Sequence, residues 1–566
     1  MSPSVTAYYT TALFNHEQKI TVGSPKNPVF TSWKKNGIFN FTFVRRREGG
    51  SFVAAGATGA TGFAEHYHAQ LFGPMDPGEM LMERTITKVL VANRGVPAVR
   101  VMHTCRDRNI LTTAVYSSPD RLAHHVFMAD SAVHIGEAPP VESYLNMDRM
   151  IDAALRSGSD AIHPGWGFLA ENESFAQKVI DAGLIWIGPP PKVIRMMGDK
   201  IQAKQLAHKA GVPVIPGVSN VTDIEQIKKW MKDEQVAFPI MIKASSGGGG
   251  KGMIKVENNE GLAQGIAQAR SEAKKSFGDD TILVEKYIER GRHIEVQIVA
   301  DAHGNVVHLY ERECTLQRRN QKIIEEAPSP SLDENLRNEI CFTATRLMRE
   351  IGYVTAGTVE YIFDSATKKF YFLEVNTRLQ VEHGITELIT GLDIVGIMLD
   401  TAVGRKLPFK QADIRPNRWA LEVRLNAEDP KTFSPSFGKI RRLQIPMGPN
   451  VRVASGVYEG GDIPPYYDSL FMLLMTAGAD RKGAIRVMDR CLGRNLRVEG
   501  VKTLQPLLLS IIRHPSFMSG EFSTRFIEEH LDELISMFSD DNSEDDVLRI
   551  ARYVAEISAL GPQKWM

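Results

Sequence analysis

The sequence is poor in cysteine: it has only Cys105, Cys314, Cys341 and Cys491, none in a Cys-x-x-Cys arrangement. That argues against a disulfide scaffold and a structural zinc site, and fits a reducing compartment. No apolar stretch is long enough to cross a membrane. Net charge is missing too, since Lys+Arg and Asp+Glu are both 67. No global basic field therefore recommends nucleic acid or an anionic membrane as a partner. No positively charged start followed by an apolar core marks a secretory signal peptide. Lys34, Lys35, Arg45, Arg46 and Arg47 make a transit peptide conceivable, but they sit late in the segment. A cytoplasmic protein is expected. Its 566 residues, 43% hydrophobic and 24% charged, allow several globular domains.

The first eighty residues are rich in Gly, Ser, Thr and Phe, around GGSFVAAGATGATGFAEHYHAQ. They show neither a clear helical period nor a clean chain of strands. GATGATG suggests a phosphate loop only superficially, since it lacks a convincing strand before it and a lysine after it. Residues 1–84 are taken as an extension of uncharacterised role.

From there the text becomes regular. TKVLVANRG, a helical pattern and LTTAVYS read as a parallel βαβ unit, with further strands at Ala161–His163 and Ile185–Ile187. Lys200 opens a helix that Gly211 and Pro213 close. FPIMIKASSGGGGKGM is a strand followed by a glycine loop, framed by the strand-like MIKV. Gly247–Gly250 and Gly252 let backbone N–H groups approach phosphate oxygens, with Lys243 and Lys251 adding positive charge. No GK[ST] begins a following helix, so this is not a Walker loop. LVEKYIERGRHIEVQIVAD, Leu283–Asp301, reads as one interdomain hinge strand. ERECTLQRRNQKII concentrates cationic residues, and LEVRLNAEDP sets Arg424 on the face opposite Leu421, Val423 and Leu425.

The stretch from Gly357 to Glu387 is the one the others serve. Thr358–Phe363 and Phe370–Val375 alternate at period two around the polar turn Asp364–Lys369, which makes a β-hairpin. In the simplest register, with Asp364 opposite Phe370, Glu360 falls opposite Glu374. Like charges facing across a ladder destabilise it. A divalent cation reverses that sign, and Mg²⁺ favours one or two carboxylates plus phosphates. Asn376 projects to the same face, and Arg378, Gln380 and Glu382 continue the polar string, which needs a polar ligand. A solvated hairpin is the blander reading; the apolar content of both strands favours a site.

LEVNTRLQVEH resembles the corresponding segment of the biotin carboxylases, the ATP-grasp enzymes that carboxylate biotin in acyl-CoA and pyruvate carboxylases. VANRG, HPGWGFLAEN, IGPP, FSPSFGKI and VYEGGDIPPYYDSL are similar to that family as well, so the resemblance runs from about Ile86 to His530. After YYDS the family's usual small residue and lysine are replaced by LFMLL, Leu470–Leu474, which bears on surface or dimer packing. Asn320 stands where many members have histidine.

The resemblance implies an α/β architecture: a doubly wound parallel-sheet N-terminal domain at 85–197, an ATP-grasp domain at 198–405 with a mobile lid at 215–288, and a biotin carboxylase C-terminal domain at 406–535. An acidic link and helix would follow at 536–566. It implies ATP, Mg²⁺ or Mn²⁺, bicarbonate, and biotin on a separate carrier protein. A carboxyltransferase subunit and a homodimer are implied as partners, with neither nucleic acid nor membrane. Fatty acid biosynthesis, through acetyl-CoA carboxylase, is one implied setting.

Residue by residue, it implies Glu360, Glu374 and Asn376 as metal ligands, Glu382 as base, and Lys322, Arg378, Gln380 and Val381 around bicarbonate. Arg424 would lie beside biotin. The nucleotide would meet Lys200, Lys243, Gly249, Gly250, Glu285, Lys286, Tyr287, Ile288, His293, Gln317, Asn320 and Ile362. The pair Met231–Lys232 lies in a polar helical stretch, so no biotinylated lysine is expected in this chain. A different ATP-grasp ligase of carbamoyl-phosphate or purine type, or a non-catalytic ATP-binding subunit, are the alternatives.

Overall fold

The computed structural model describes residues 18–22, 29–35, 38–46, 52–58, 85–221, 223–244, 253–278 and 280–539. The chain divides into two units, Met1–Met82 and Glu83–Met566. In the first, β1 (Gln18–Val22), β2 (Val29–Lys35), β3 (Ile38–Arg46) and β4 (Phe52–Thr58) form an antiparallel sheet in sequential order. This corrects the expectation of no chain of strands. IFNFTFVRR carries Phe39, Phe41 and Phe43 at period two, a pattern hidden by the Gly/Ser/Thr-rich text around it. The first residues of GATGATG complete β4; the rest of that run lies outside the described residues.

The second unit begins with a five-stranded parallel sheet. Its strands are β5 (Lys88–Val91), β6 (Leu111–Ser117), β7 (Ser131–Gly136), β8 (Ala161–His163) and β9 (Ile185–Trp186), in the order β7-β6-β5-β8-β9. The crossover from β5 to β6 is α1 (Gly95–Asp107). It is entered through Gly95 at φ +60, a conformation glycine adopts without cost.

After α2 (Lys200–Lys209) comes a small antiparallel sheet of β10 (Gly217–Ser219), β11 (Ile240–Ala244), β12 (Met253–Val256) and β13 (Ile282–Lys286), packed on α3 (Leu262–Phe277). The glycine loop between β11 and β12 lies outside the described residues, Gly249 and Gly250 included.

The largest sheet has eight strands: β14 (Gly291–Ala300), β15 (Val306–Arg318), β16 (Gln321–Ala327), β17 (Thr355–Asp364), β18 (Lys369–Asn376), β19 (Trp419–Asn426), β20 (Val451–Ser455) and β21 (Leu470–Gly478). Their order is β18-β17-β14-β15-β16-β19-β21-β20. One face packs Ile294, Val296, Val359, Tyr361, Phe370, Phe372 and Val375 against Ile340, Ala344 and Leu347 of α4 (Glu334–Glu350). Burial at this scale, roughly 1.5–3 kcal/mol per large apolar side chain, fixes which face turns inward. The other face is left for polar groups.

Two further expectations are corrected. Leu283–Asp301 is not one strand but two, β13 and β14, belonging to different sheets. The chain passes between them at Gly291, where a Cβ would sit 2.4 Å from Ile362 Cδ1. The Leu470–Leu474 run is not a surface feature. It opens β21, between β19 and β20, with Met472 and Leu474 in one buried apolar cluster and Leu473 in another.

Candidate active site

Strands β17 and β18 form the expected hairpin, and Glu360 faces Glu374, but by a different route. Near the turn the register pairs Asp364 with Lys369, Phe363 with Phe370 and Tyr361 with Phe372. Continued without a break, it would send Glu374 inward behind Phe370 and Phe372. A β-bulge between Tyr361 and Glu360 leaves Leu373 as the extra residue and reverses the alternation. Glu374 and Asn376 then share the polar face with Glu360, while Val375 takes the core side.

Across the neighbouring strands, Glu360 faces Glu295 and Glu295 faces Arg312. A row of charge therefore runs across the sheet. Lys322 reaches into it from β16, donating to Glu295, to Glu360 at 2.8 Å and to Glu382 at 2.8 Å. Arg312, fully buried, binds Glu295 and donates to Gln297 at 2.7 Å and Thr386 at 2.9 Å. Arg424 donates to Glu382 Oε2 at 2.9 Å and to Glu325 at 2.6 Å.

Glu382 stands at the N-cap of α5 (His383–Thr390). Burial raises its proton affinity, but Lys322, Arg424 and Arg312 overcome this and hold it well below the usual carboxylate range. Burial likewise lowers Lys322, and Glu295, Glu360 and Glu382 outweigh it, so the ammonium stays charged.

Glu374 goes the other way. Burial and the facing Glu360 raise it, with Lys200 only partly compensating. A cation between the two carboxylates would relieve this, and the oxygens of Glu360, Glu374 and the Asn376 amide suit a hard ion such as Mg²⁺. Asn376 donates to Glu360 at 2.8 Å, as does Gln380 at 3.1 Å. Arg378 donates to Gln380 at 2.9 Å and Asn376 at 3.0 Å, and is anchored on Glu171 of the parallel-sheet region at 2.9 Å. Val381 is buried beside Val96 and Ile385.

Among the residues expected to meet a nucleotide, Lys243 and Lys204 clamp Glu285 from two directions, at 2.6 and 2.7 Å. Burial would raise Glu285, yet the two lysines bring it to about 2. Lys200, at the start of α2, is lowered by burial and supported by Glu374. His293 lies 2.8 Å from Glu360, and Gln317 bonds its other ring nitrogen at 2.9 Å. Ile288 and Ile362 flank Gly291. Lys286 ends β13, and Tyr287 next to it lies under Lys255, 4.7 Å from the ring centroid. Asn320 is placed apart from the buried cluster. With Arg319 it makes the exposed two-residue turn between β15 and β16, at φ 63, a left-handed conformation that asparagine tolerates.

Sequence reasoning passed over Glu171, Lys204, Glu295, Arg312, Glu325 and Glu422. Glu295 had a signal, since His293, Glu295 and Gln297 alternate with Ile294, Val296 and Ile298 in β14. Glu325 and Glu422 had none, because they meet only when β16 pairs with β19.

Three family models match in succession: the biotin carboxylase N-terminal domain over residues 85–194, the carbamoyl-phosphate synthase L chain ATP-binding domain over 199–410, and the biotin carboxylase C-terminal domain over 422–529. A biotin carboxylase of Haemophilus influenzae is 46% identical over 79% of this chain and 99% of its own. The mitochondrial propionyl-CoA carboxylase alpha chain of Homo sapiens is 47% identical over 79% of this chain and 61% of its own. Among solved structures, the biotin carboxylase domain dimer of Hydrogenobacter thermophilus 2-oxoglutarate carboxylase, in complex with MgADP, ADP and bicarbonate, superposes with a TM-score of 0.76. It is 44% identical, over 80% of this chain and 99% of that one. With three family models matching in succession and relatives 46% and 47% identical over 79% of its length, the chain belongs to the biotin carboxylase family.

Proposed function

We propose that this chain uses ATP and bicarbonate to carboxylate biotin carried on a separate protein, the first half-reaction of an acyl-CoA or pyruvate carboxylase. The observation that carries this reading is the position of Lys322. Its ammonium joins Glu360, on the metal side, to Glu382, the candidate base, at 2.8 Å each. Mg²⁺ held by Glu360 and Glu374 with Asn376 would draw charge from the phosphates. Lys200 and Lys243 would neutralise more of it.

Bicarbonate would be held by Lys322, Arg378, Gln380 and the backbone of Val381, since positioning supplies much of the catalysis in phosphoryl transfer. As the anion enters, Lys322 and Arg424 turn from the Glu382 carboxylate toward it. Glu382 is thereby freed from the two cations that depress its proton affinity most, and becomes basic enough to take the bicarbonate proton. The anion attacks the γ-phosphorus and expels ADP; the carboxyphosphate breaks to CO₂ and phosphate, the phosphate takes the ureido proton of biotin, and the nitrogen it leaves bonds to CO₂. Arg424 would face the ureido enolate as a fixed positive charge.

In this reading 85–197, 198–405 and 406–535 are the three working domains, and a carrier protein and a carboxyltransferase are the partners. A homodimer is the proposed assembly. Met231–Lys232 sits inside the helix Ile224–Asp233, not in a turn presenting a lysine, which supports a carrier on another protein; intact mass after expression with an active biotin ligase should show no adduct. Biotin-stimulated, bicarbonate-dependent ADP release is the test of the function itself. Release that ignores both biotin and bicarbonate would remove it.

A further inference from the structure

Two carboxyl groups beside Arg424 are not used by the reaction just described. Glu325 on β16 and Glu422 on β19 are cross-strand partners, each with 0% exposure. Glu325 Oε1 accepts the 2.6 Å bond from Arg424, but among the described residues Glu325 Oε2 and both oxygens of Glu422 have no hydrogen-bond partner. Orphaned carboxylate oxygens are costly in a buried site unless a proton neutralises them.

The charged and titratable groups facing the pair come from four elements. They are Lys322 from β16, Arg424 from β19, Arg312 and the Cys314 thiol from β15, and Glu382 at the start of α5. Strand β21 contributes no charge, for Leu473 lies opposite Arg424 and Met475 opposite Glu422. This is the Leu470–Leu474 run. Nor does position 384 of α5 add a side chain there, since a Cβ on Gly384 would lie 2.3 Å from Met475 Sδ and 3.6 Å from Glu422 Oε2. Among the described residues, the one cation bonded to the pair, Arg424, is already shared with Glu382.

We propose that Glu325 and Glu422 hold one proton between them and act as positioning residues through Arg424, keeping its guanidinium available to the anion in the site. The role of Arg424 rests on the proposed function above. Two adjacent buried carboxyls do not both ionise, and the pair titrates as a unit. With one proton the pair carries a single negative charge. Losing that proton places a second negative charge beside Arg424, which draws the guanidinium back from the reacting anion. Burial and Glu325 raise Glu422 well above the carboxylate range, and burial brings Glu325 to about 7 against the pull of Arg424. The proton is therefore present at neutral pH and leaves on the alkaline side.

Glu422→Gln in the full chain tests this, because the amide supplies a neutral group at every pH. In the wild type, kcat/KM for biotin should fall along an alkaline limb that the variant lacks. The two profiles should diverge by about tenfold one pH unit beyond the wild-type midpoint. Superimposable alkaline limbs overturn the proposal. Infrared spectroscopy of the wild type gives a reading independent of turnover. A protonated-carboxyl carbonyl band should be present at neutral pH, fade as pH rises, and be missing from Glu422→Gln; no such band in the wild type also overturns it. If biotin-stimulated ADP release is lacking in both proteins, the proposed reaction fails while the infrared band still decides the proton.

Discussion

Two ionic clusters meet α5, one around Glu387 and one around its N-cap Glu382, and they are built differently. In the first, Glu387 binds Arg100 at 2.7 Å and Arg452 at 2.6 Å, and Arg100 also reaches Asp393 at 3.0 Å and His383 at 3.1 Å. Each carboxylate there meets a guanidinium, and none of these side chains leaves a buried polar atom unpaired. In the second, Glu295, Glu325, Glu360, Glu382 and Glu422 outnumber Arg312, Lys322 and Arg424, and orphaned oxygens remain. The first cluster is closed and joins α1, α5 and β20. The second is open, with more acid than its own cations can satisfy. A buried network that needs nothing further is structural; one left in deficit of positive charge is prepared for a cation from outside, and for protons.

Breaking the open cluster at its centre should have the largest effect. Glu382→Gln should lower bicarbonate-dependent ATP cleavage by about 10²–10⁴-fold while nucleotide affinity, measured by calorimetry, stays near wild type. Retained turnover would take Glu382 out of the role of base. Next, Glu360→Gln or Glu374→Gln should raise the Mg²⁺ concentration needed for half-maximal ADP release and lower turnover, since an amide is a weaker ligand for a hard cation. Unchanged Mg²⁺ titrations in both variants would place the metal elsewhere.

The closed cluster should respond in stability instead. Glu387→Gln leaves buried Arg100 and half-buried Arg452 short of a counter-ion and should cost about 3–5 kcal/mol in denaturant unfolding. Burial raises Glu387, but Arg100, His383 and Arg452 bring it to about 2, below its unfolded value. Its stabilising contribution is thus complete above about pH 4 and is lost as pH falls toward 2, a dependence the variant should lack. Equal acid sensitivity in both proteins would make this cluster incidental. The smallest effect should come from beginning the chain at Met82, at the boundary of the first unit. Solubility and turnover should match the full protein, and loss of either would give that sheet a part in the enzyme.

Much of this was legible in the sequence because it is local. The parallel βαβ start, the helix opened by Lys200 and the hairpin strands each announce themselves within a dozen residues. Charged groups at alternate positions of one strand are also readable in principle, as Glu295 shows. What could not be read depends on pairing between distant strands. Glu325 and Glu422 are separated by nearly a hundred residues, a spacing that only the ladder of β16 with β19 resolves. The four-stranded sheet near the start was obscured for the opposite reason: its alternation is present, but in text whose glycines and serines resemble a loop.

The bulge at Leu373 divides β18 into two half-strands of opposite phase. A substitution scan along Lys369–Asn376 should therefore not show one rhythm. Tolerance of polar residues should alternate normally through Phe370 and Phe372, then slip by one, so that Val375 behaves as their counterpart and Glu374 does not. Forcing Leu373 into an unbroken ladder would thread the Glu374 carboxylate into the hydrocarbon packing above α4, whereas deleting Leu373 would give a regular ladder with Glu374 still on the polar face. In this strand a single surplus residue would throw the polar face out of phase, and the bulge that absorbs it keeps that face in step with its neighbours.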